Sequence, residues 1–211
     1  SMVVFDNVFV PWERVFLCGE WDFALPLLEL FASYHRANYG GCKAGVADVL
    51  IGASALLAEY HGVAASPIIR DKLVEMVHLS ETLYGTAIAA SVEGSKTAAG
   101  AFFVNPLLAN STKLNTGRFT YDLCRLAHDI AGGLVATMPS QQDLEHPVVG
   151  QYIRKYLKGA GAVPAEHRMR VARLIEALSS CPVFLEAVHG AGSPQTQRIP
   201  MFRQANLPEK M

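Results

Sequence analysis

The sequence predicts a mainly α-helical domain, an up-and-down helical bundle preceded by one orphan β-strand. Apolar residues recur at helical spacing from about residue 22 onward, and glycines or prolines stand at the ends of these stretches. Only residues 3–10 have the β-branched and aromatic composition of a strand. The 211 residues are 51% hydrophobic and 18% charged, so we expect other protein to cover much of the surface.

The strand prediction covers Val3 to Val10 and stops at Pro11. A single strand is not stable by itself, so its sheet partners are expected outside this chain or in another copy of it. The first two residues, Ser1-Met2, resemble a remnant of cloning. Both observations predict a fragment of a longer protein.

The first two helical stretches are defined by their spacing and their ends. Leu25, Leu28 and Phe31 lie on one helical face, and a second stretch, Val46 to His61, ends at Gly62. Ser66-Pro67 is typical of a helix start, and this helix is predicted to reach about Glu93.

The second half of the chain is predicted to hold shorter helices. Residues 100–117 are expected to be irregular near Asn105-Pro106 and Asn115-Thr116-Gly117. Further helices are predicted at Tyr121 to Ile130, Val149 to Leu157, Pro164 to Leu178 and Pro182 to Val188, and residues 199–211 as a loosely held polar tail.

Composition excludes several functions. A net charge of −1 gives no electrostatic case for nucleic-acid binding. The longest apolar stretch, Ala44 to Ala58, is interrupted by Asp48 and is shorter than a membrane span of roughly 18 residues. The cysteines are far apart and form no CxxC pair, so no disulfide framework is expected. Free cysteines are typical of proteins in the reducing cytoplasm. The cysteines are Cys18, Cys42, Cys124 and Cys181.

The stretch from Tyr34 to Lys43 holds the first candidate chemistry. His35 and Cys42 are seven residues apart, which places them on one helical face about 10 Å apart along the axis. Gly40-Gly41 between them could break the helix and bring them together around a metal ion, since imidazole and thiolate both suit iron and zinc. The alternative is a buried histidine and a buried thiol beside a kink.

Tyr39 lies one helical turn from His35, so both side chains could line one pocket. A tyrosine hydroxyl in such a pocket can orient a substrate or donate a proton, whereas the alternative is a tyrosine held by one hydrogen bond. Lys43 could add a positive charge to this pocket. The alternative is that Lys43 is a solvated lysine on the surface.

Two glycine-rich turns are candidate cofactor contacts. After Asp129, the pair Gly132-Gly133 could hold phosphates of a dinucleotide, or could simply end a helix. Glu186 and His189 share a helical face, and the turn after them could form a backbone nest for an anion or a flavin edge, or could be a plain helix end. This turn contains Gly190, Gly192 and Ser193.

These stretches together resemble the 4-hydroxyphenylacetate 3-hydroxylase family. The resemblance rests on residues 4–11, 34–43, 129–133 and 189–195 and extends over nearly the whole chain. It implies the acyl-CoA dehydrogenase architecture: an N-terminal helical domain, a middle β domain and a C-terminal bundle, in a homotetramer or homodimer. Residues 1–16 would then end a missing β domain, 17–198 would form the bundle, and 199–211 the tail.

The most similar branch of this family converts 4-hydroxybutyryl-CoA to crotonyl-CoA, isomerises vinylacetyl-CoA, and carries FAD and a [4Fe–4S] cluster. The resemblance implies that His35 and Cys42 ligate the cluster, with two cysteines from the missing N-terminal part. It also implies that His35, Tyr39 and Glu186 are catalytic. The implied cofactor contacts are Lys43, Asp129, Gly132, Gly133, Gly190, Gly192 and Ser193.

The chain by itself is expected to bind neither cofactor tightly and to be inactive. Two alternatives remain at this point. One is a flavin-dependent aromatic hydroxylase of the same family, which would have no use for Cys42. The other is a non-catalytic helical domain whose role is oligomerisation.

Overall fold

The computed structural model describes residues 2–180 and 182–210, and confirms a predominantly helical domain. Three long helices dominate it: α1 (Ala24–His61), α2 (Pro67–Val92) and α3 (Pro106–Ala131). The shorter helices are α4 (Leu134–Thr137), α5 (Gln141–Glu145), α6 (Val149–Tyr156), α7 (Ala165–Ser180), α8 (Pro182–His189), α9 (Pro194–Gln204) and α10 (Leu207–Lys210). Two-residue strands, β1 (Ser95–Lys96) and β2 (Phe102–Phe103), form an antiparallel hairpin that the sequence did not predict.

Helix α1 joins the first two predicted helical stretches into one helix of 38 residues. It continues without interruption through Gly40 and Gly41, so the predicted kink is absent. Gly40 remains helical because α2 and α3 pack against it: a side chain there would lie 2.5 Å from atoms of Ala87 and Thr112. The helix ends at Gly62 as predicted, with a left-handed φ of 74° that glycine adopts without strain.

Helix α3 corrects the prediction of an irregular segment over residues 100–117. Asn105 caps its first turn by accepting a hydrogen bond from the backbone of Leu108 at 3.0 Å, and Pro106 occupies the first helical position. Inside the helix, Thr112, Thr116 and Thr120 are buried and donate their hydroxyls to carbonyls four residues earlier. Polar residues that resemble a loop in the sequence are therefore satisfied by the helix itself.

The long helices alternate in direction. Lys72 near the start of α2 forms an ion pair with Asp129 near the end of α3, at 2.6 Å. Arg36 in the first half of α1 donates to Asn110 in the first turns of α3, at 2.7 Å. Helices α1 and α3 therefore run parallel, with α2 antiparallel to both. Helix α7 packs on α1 and α3, and α8 and α9 pack on α3.

The predicted strand over Val3 to Val10 does not form in this chain. Within the described residues, 2–10 belong to no strand, and Phe5 and Phe9 are almost fully exposed. An isolated strand has no hydrogen-bond partner to stabilise it, as the sequence argument itself required.

The C-terminal residues are more ordered than the expected polar tail. Helix α9 extends through residue 199 to Gln204, with Gln197 and Pro200 buried against the bundle. Arg203 forms an ion pair with Glu29 of α1. These contacts fix α9 beside α1 and α3, where it supports the site described below.

Among the described residues, one helical segment, Trp21–His61, is long and apolar enough to cross a membrane by length and composition alone. This segment contains α1, and 44% of its most apolar window is buried inside the domain. Leu50 and Leu57 of α1 are completely buried in the hydrophobic core. Packing between helices thus accounts for the apolar residues in the second half of α1, whereas Leu28 and Phe31 in its first half are exposed.

Candidate functional site

A polar cluster lies where the first half of α1 meets α3 and α8. Tyr39 donates its hydroxyl to Oε1 of Glu186, and the Nζ of Lys43 lies 2.9 Å from Oε2 of the same carboxylate. Tyr39 and Lys43 are 6% and 5% exposed, whereas the Glu186 side chain is 47% exposed. The carboxylate is thus held by two buried donors and still reaches the surface.

The pKa values of Glu186 and Tyr39 are shifted in opposite directions. Partial burial raises the pKa of Glu186, but the hydrogen bonds from Tyr39 and Lys43 and the charges of Lys43 and Lys113 outweigh it, so the pKa is lowered overall. Burial, followed by the bond to Glu186, raises the pKa of Tyr39. At neutral pH the cluster therefore contains a carboxylate and a protonated phenol.

Lys113 also belongs to this cluster, although no local sequence pattern marks it. It lies on α3, is 1% exposed, and donates to the carbonyl oxygens of Ala187 at 2.7 Å and Val188 at 3.2 Å. Its Nζ also lies 5.1 Å from the centre of the Tyr39 ring. Burial lowers its pKa to about 8, against the opposing effect of Glu186.

Arg36, which no sequence pattern marks as functional, holds the turn that follows α8. Its guanidinium donates to the carbonyl of Ala191 at 3.1 Å, to Oδ1 of Asn110 at 2.7 Å and to the hydroxyl of Thr196 at 3.3 Å. Burial lowers the pKa of Arg36 from its usual value, and the charge of Glu29 partly compensates.

The predicted glycine-rich turn reaches this cluster. A side chain at Gly190 would collide with the hydroxyl of Tyr39 and the carboxylate of Glu186, so this position must lack one. Gly192 has a φ of 95°, which glycine adopts without strain. Ser193 precedes α9, and its carbonyl accepts bonds from the backbone and hydroxyl of Thr196 at 2.9 and 2.7 Å.

His35 lies at the edge of the cluster and is half-buried. Its ring centre is 5.3 Å from that of Tyr39 and 5.8 Å from that of Phe31. Cys42 is an exposed free thiol on the same helix. Because α1 is continuous, the two residues share a face about 10 Å apart along the axis.

The described residues contain no group of three or more histidine, cysteine or acidic side chains that could hold a metal ion. His35 and Cys42 are therefore at most part of a ligand set. Imidazole and thiolate are donors that suit iron, and both lie on one face of α1. The space beside Gly41, which lies between them in the sequence, is open.

The other predicted turn lies at the opposite end of the bundle. Sixteen residues of α3 separate Lys113 from Asp129, about 24 Å of helix. Gly132 ends α3 with a φ of 65°, and Gly133 precedes α4. The structure therefore brings together His35, Tyr39, Lys43, Glu186 and the Gly190 turn, and leaves the Gly132 turn elsewhere.

The architecture defines the class of protein first: an all-α domain built on three long helices. The chain belongs to the 4-hydroxyphenylacetate 3-hydroxylase family: the family's C-terminal domain (HpaB, 4-hydroxyphenylacetate 3-hydroxylase C terminal) matches residues 24–211. The chain is 49% identical over 222 aligned residues to the 4-hydroxybutyryl-CoA dehydratase/vinylacetyl-CoA-Δ-isomerase of Clostridium aminobutyricum, a match that covers all of this chain and 45% of the relative.

Solved structures agree with this placement. An oxygen-tolerant archaeal 4-hydroxybutyryl-CoA dehydratase from N. maritimus superposes with a TM-score of 0.94 at 46% identity, over 98% of this chain and 42% of its own. The HpaB oxygenase component of 4-hydroxyphenylacetate 3-monooxygenase, solved with FAD, superposes with a TM-score of 0.85 at 21% identity, over 95% and 43%. The last match concerns the fold alone. The chain spans less than half the length of these relatives.

Proposed function

We propose that this chain is the C-terminal part of an enzyme that dehydrates 4-hydroxybutyryl-CoA to crotonyl-CoA and isomerises vinylacetyl-CoA. The observation that carries the proposal is one face of α1, on which Tyr39 and Lys43 hold the Glu186 carboxylate while His35 contacts Tyr39. A histidine, a phenol and a carboxylate next to one another suit a reaction that moves protons on carbon.

The proposed cofactors are FAD and a [4Fe–4S] cluster. His35 and Cys42 would supply two of the cluster's ligands, and the missing N-terminal part of the protein would supply the other two and most flavin contacts. When bound, the iron supplies Lewis-acid assistance to the departing hydroxyl and the flavin supplies one-electron chemistry. His35 and Cys42 would hold the cluster from one continuous helix, as an imidazole and a thiolate donor to iron.

The cofactor contacts proposed for this chain fall into two groups. Gly190 lies beside Tyr39 and Glu186, and Gly192 lies beside Arg36. Together with Ser193, which follows Gly192, they would face the flavin ring or the substrate. Asp129, Gly132 and Gly133 lie about 24 Å away along α3, so they would contact a different part of the dinucleotide or another copy of the chain.

Each polar side chain would have a distinct task. His35 would remove a proton from the carbon next to the thioester with the nitrogen that its iron bond would have to release, because a neutral imidazole has one acceptor nitrogen. Tyr39 would orient the substrate with its phenol oxygen, because its proton is committed to Glu186. Glu186, exposed on one side, would relay protons to and from the substrate, and Lys43 would hold the carboxylate in place.

Assembly with the missing domains and with further copies of the chain, as a homotetramer, belongs to the same proposal. Large apolar side chains of residues 3–34 lie exposed, including Phe9, Phe16 and Phe31. Monomeric proteins do not usually expose so much contiguous apolar surface. Sedimentation of the complete protein would test the assembly.

Iron and acid-labile sulfide in the complete protein, purified without oxygen, test the proposal. About four of each per chain, together with dehydration of 4-hydroxybutyryl-CoA, are expected. A protein that carries flavin, contains no iron and hydroxylates a phenol would instead be the aromatic hydroxylase. Cys42→Ser should lower the iron content if the protein is the dehydratase. The same substitution should leave activity unchanged if the protein is the hydroxylase.

His35→Gln provides a second test in the complete protein. Loss of a proton acceptor and a proposed iron ligand should abolish dehydration. The matched control is His78→Gln, which replaces an exposed histidine of α2 and should leave activity unchanged. Turnover retained by His35→Gln would refute its role.

A further inference from the structure

Lys113 is a fully buried lysine. Within the part of the chain that the structure describes, no carboxylate contacts it directly, and its partners are the backbone carbonyls of Ala187 and Val188 and the face of the Tyr39 ring. Burying an ammonium group is costly unless its surroundings compensate. A purely structural position in a helix core would be filled at less cost by an apolar residue, so the charge calls for a reason.

The two carbonyls that Lys113 binds belong to the last turn of α8. The last four carbonyls of a helix have no partner within it, and a cation there also interacts favourably with the helix dipole. Lys113 thus fixes the end of the helix that carries Glu186. The Gly190 turn begins two residues after Val188, and its backbone lies so close to Tyr39 and Glu186 that position 190 has no room for a side chain.

We propose that Lys113 is a positioning residue for the active site, which holds α8 and keeps Glu186 a carboxylate paired with Tyr39 and Lys43. The proposal rests on the proposed dehydratase function. It assigns Lys113 two separable actions: its hydrogen bonds place Glu186, and its positive charge favours the ionised carboxylate. Lys113 touches no reacting group itself.

The charge arrangement supports the second action. Glu186 faces Tyr39 and Lys43 from α1 and Lys113 from α3, and its own helix ends in His189. Both lysines lower the pKa of the Glu186 carboxyl, Lys43 through direct contact and Lys113 through its charge. Removing the Lys113 charge must therefore move the protonation of Glu186 to higher pH.

The test uses the complete, cofactor-loaded enzyme with Lys113→Met and Lys113→Arg. Lys113→Met should lower kcat about 100-fold, the size of effect that a small misplacement of catalytic groups produces, with little change in KM. The acidic limb of its pH–rate profile should also move to higher pH. Lys113→Arg keeps the charge, so the limb should stay in place while kcat is only partly restored.

The control is Thr120→Val, which alters a buried side chain two turns further along α3 that donates only to its own helix. It should retain wild-type turnover. An unshifted acidic limb in an active Lys113→Met enzyme, or unchanged kcat, would overturn the proposal. A wild-type enzyme without dehydratase activity would refute the proposed function instead, so the two failures are distinguishable.

Should Lys113→Met fail to fold, Lys113→Arg and Lys113→Gln still decide. Gln keeps a donor for the carbonyls and removes the charge. A limb that shifts in Gln and not in Arg supports the proposal, and identical profiles in both contradict it.

Discussion

The two halves of the three-helix core are built differently. Around the second half of α1, the buried side chains are almost entirely apolar, with Leu50, Leu57 and Met76 completely enclosed. Around the first half, the cations Arg36, Lys43 and Lys113 are buried, and the two lysines act on one carboxylate, Glu186. Every buried methyl group stabilises the apolar half, whereas removing three cations from water destabilises the polar half.

This contrast separates two roles within one pair of helices. Substitutions in the apolar half should act on the free energy of unfolding alone, whereas substitutions in the polar half should also act on chemistry. Four predictions test that division.

The largest effect is expected for Leu57→Ala. Leu57 is completely buried, so truncation leaves a cavity and should lower the free energy of unfolding by about 2–5 kcal/mol. Urea unfolding measures this change. The control is Leu56→Ala at the preceding position of α1, where the side chain is 37% exposed, and it should lower the free energy of unfolding much less. Equal losses in both variants would contradict the assignment of the core.

A second prediction concerns pH. The pKa of Lys113 falls from its usual 10.5 in the unfolded chain to about 8 in the folded one, so the unfolded state binds more protons between these values. The unfolding free energy of the wild type, relative to Lys113→Met, should therefore rise as the pH rises from about 8 to 10.5, by up to about 3 kcal/mol. Denaturant titrations across this window measure the difference. A difference independent of pH would show that Lys113 titrates normally.

Gly190→Ala should impair chemistry more than stability. The new methyl group collides with the Tyr39 hydroxyl and the Glu186 carboxylate and must separate them. Turnover of the complete enzyme should fall about 100-fold while far-ultraviolet circular dichroism stays unchanged. Gly85→Ala, in open space on α2, is the control and should turn over normally.

The smallest effects compare two glycines of α1. A methyl group at Gly40 would lie 2.5 Å from atoms of Ala87 and Thr112, so Gly40→Ala should destabilise the domain by about 1–3 kcal/mol. Gly52 has open space, so Gly52→Ala should stabilise the helix by about 0.5–1 kcal/mol. Thermal unfolding of both variants measures the opposite signs, and the same sign in both would contradict the packing at Gly40.

The sequence was most informative where local rules decide the structure. Gly62 ends α1 because glycine adopts a left-handed φ without strain, and Ser66-Pro67 begins α2 because proline at the first helical position needs no backbone N–H. Both effects are local. The apolar spacing also predicted α6, α7 and α8 to within a few residues. Local signals were misleading at Asn115-Thr116-Gly117, where tertiary burial overrides turn propensity.

The site was only partly predictable. His35, Tyr39 and Lys43 share a face of α1 by spacing alone, and they do line one cluster with Glu186. That Glu186, more than 140 residues later, would accept bonds from Tyr39 and Lys43 has no local signal. Lys113 was missed for a similar reason: lysine in a polar sequence context normally indicates solvent, and only the packing of α8 on α3 places it inside.

The unbroken course of α1 through Gly40 and Gly41 has a mechanical consequence. His35, Tyr39, Cys42 and Lys43 stand on a single rod, so none of them can be displaced relative to the others without unwinding it. Any opening or closing during turnover must therefore come from the opposite wall, where α8 and the short turn to α9 are attached through hydrogen bonds from Arg36 and Lys113. Helix α1 is thus the fixed side of the site.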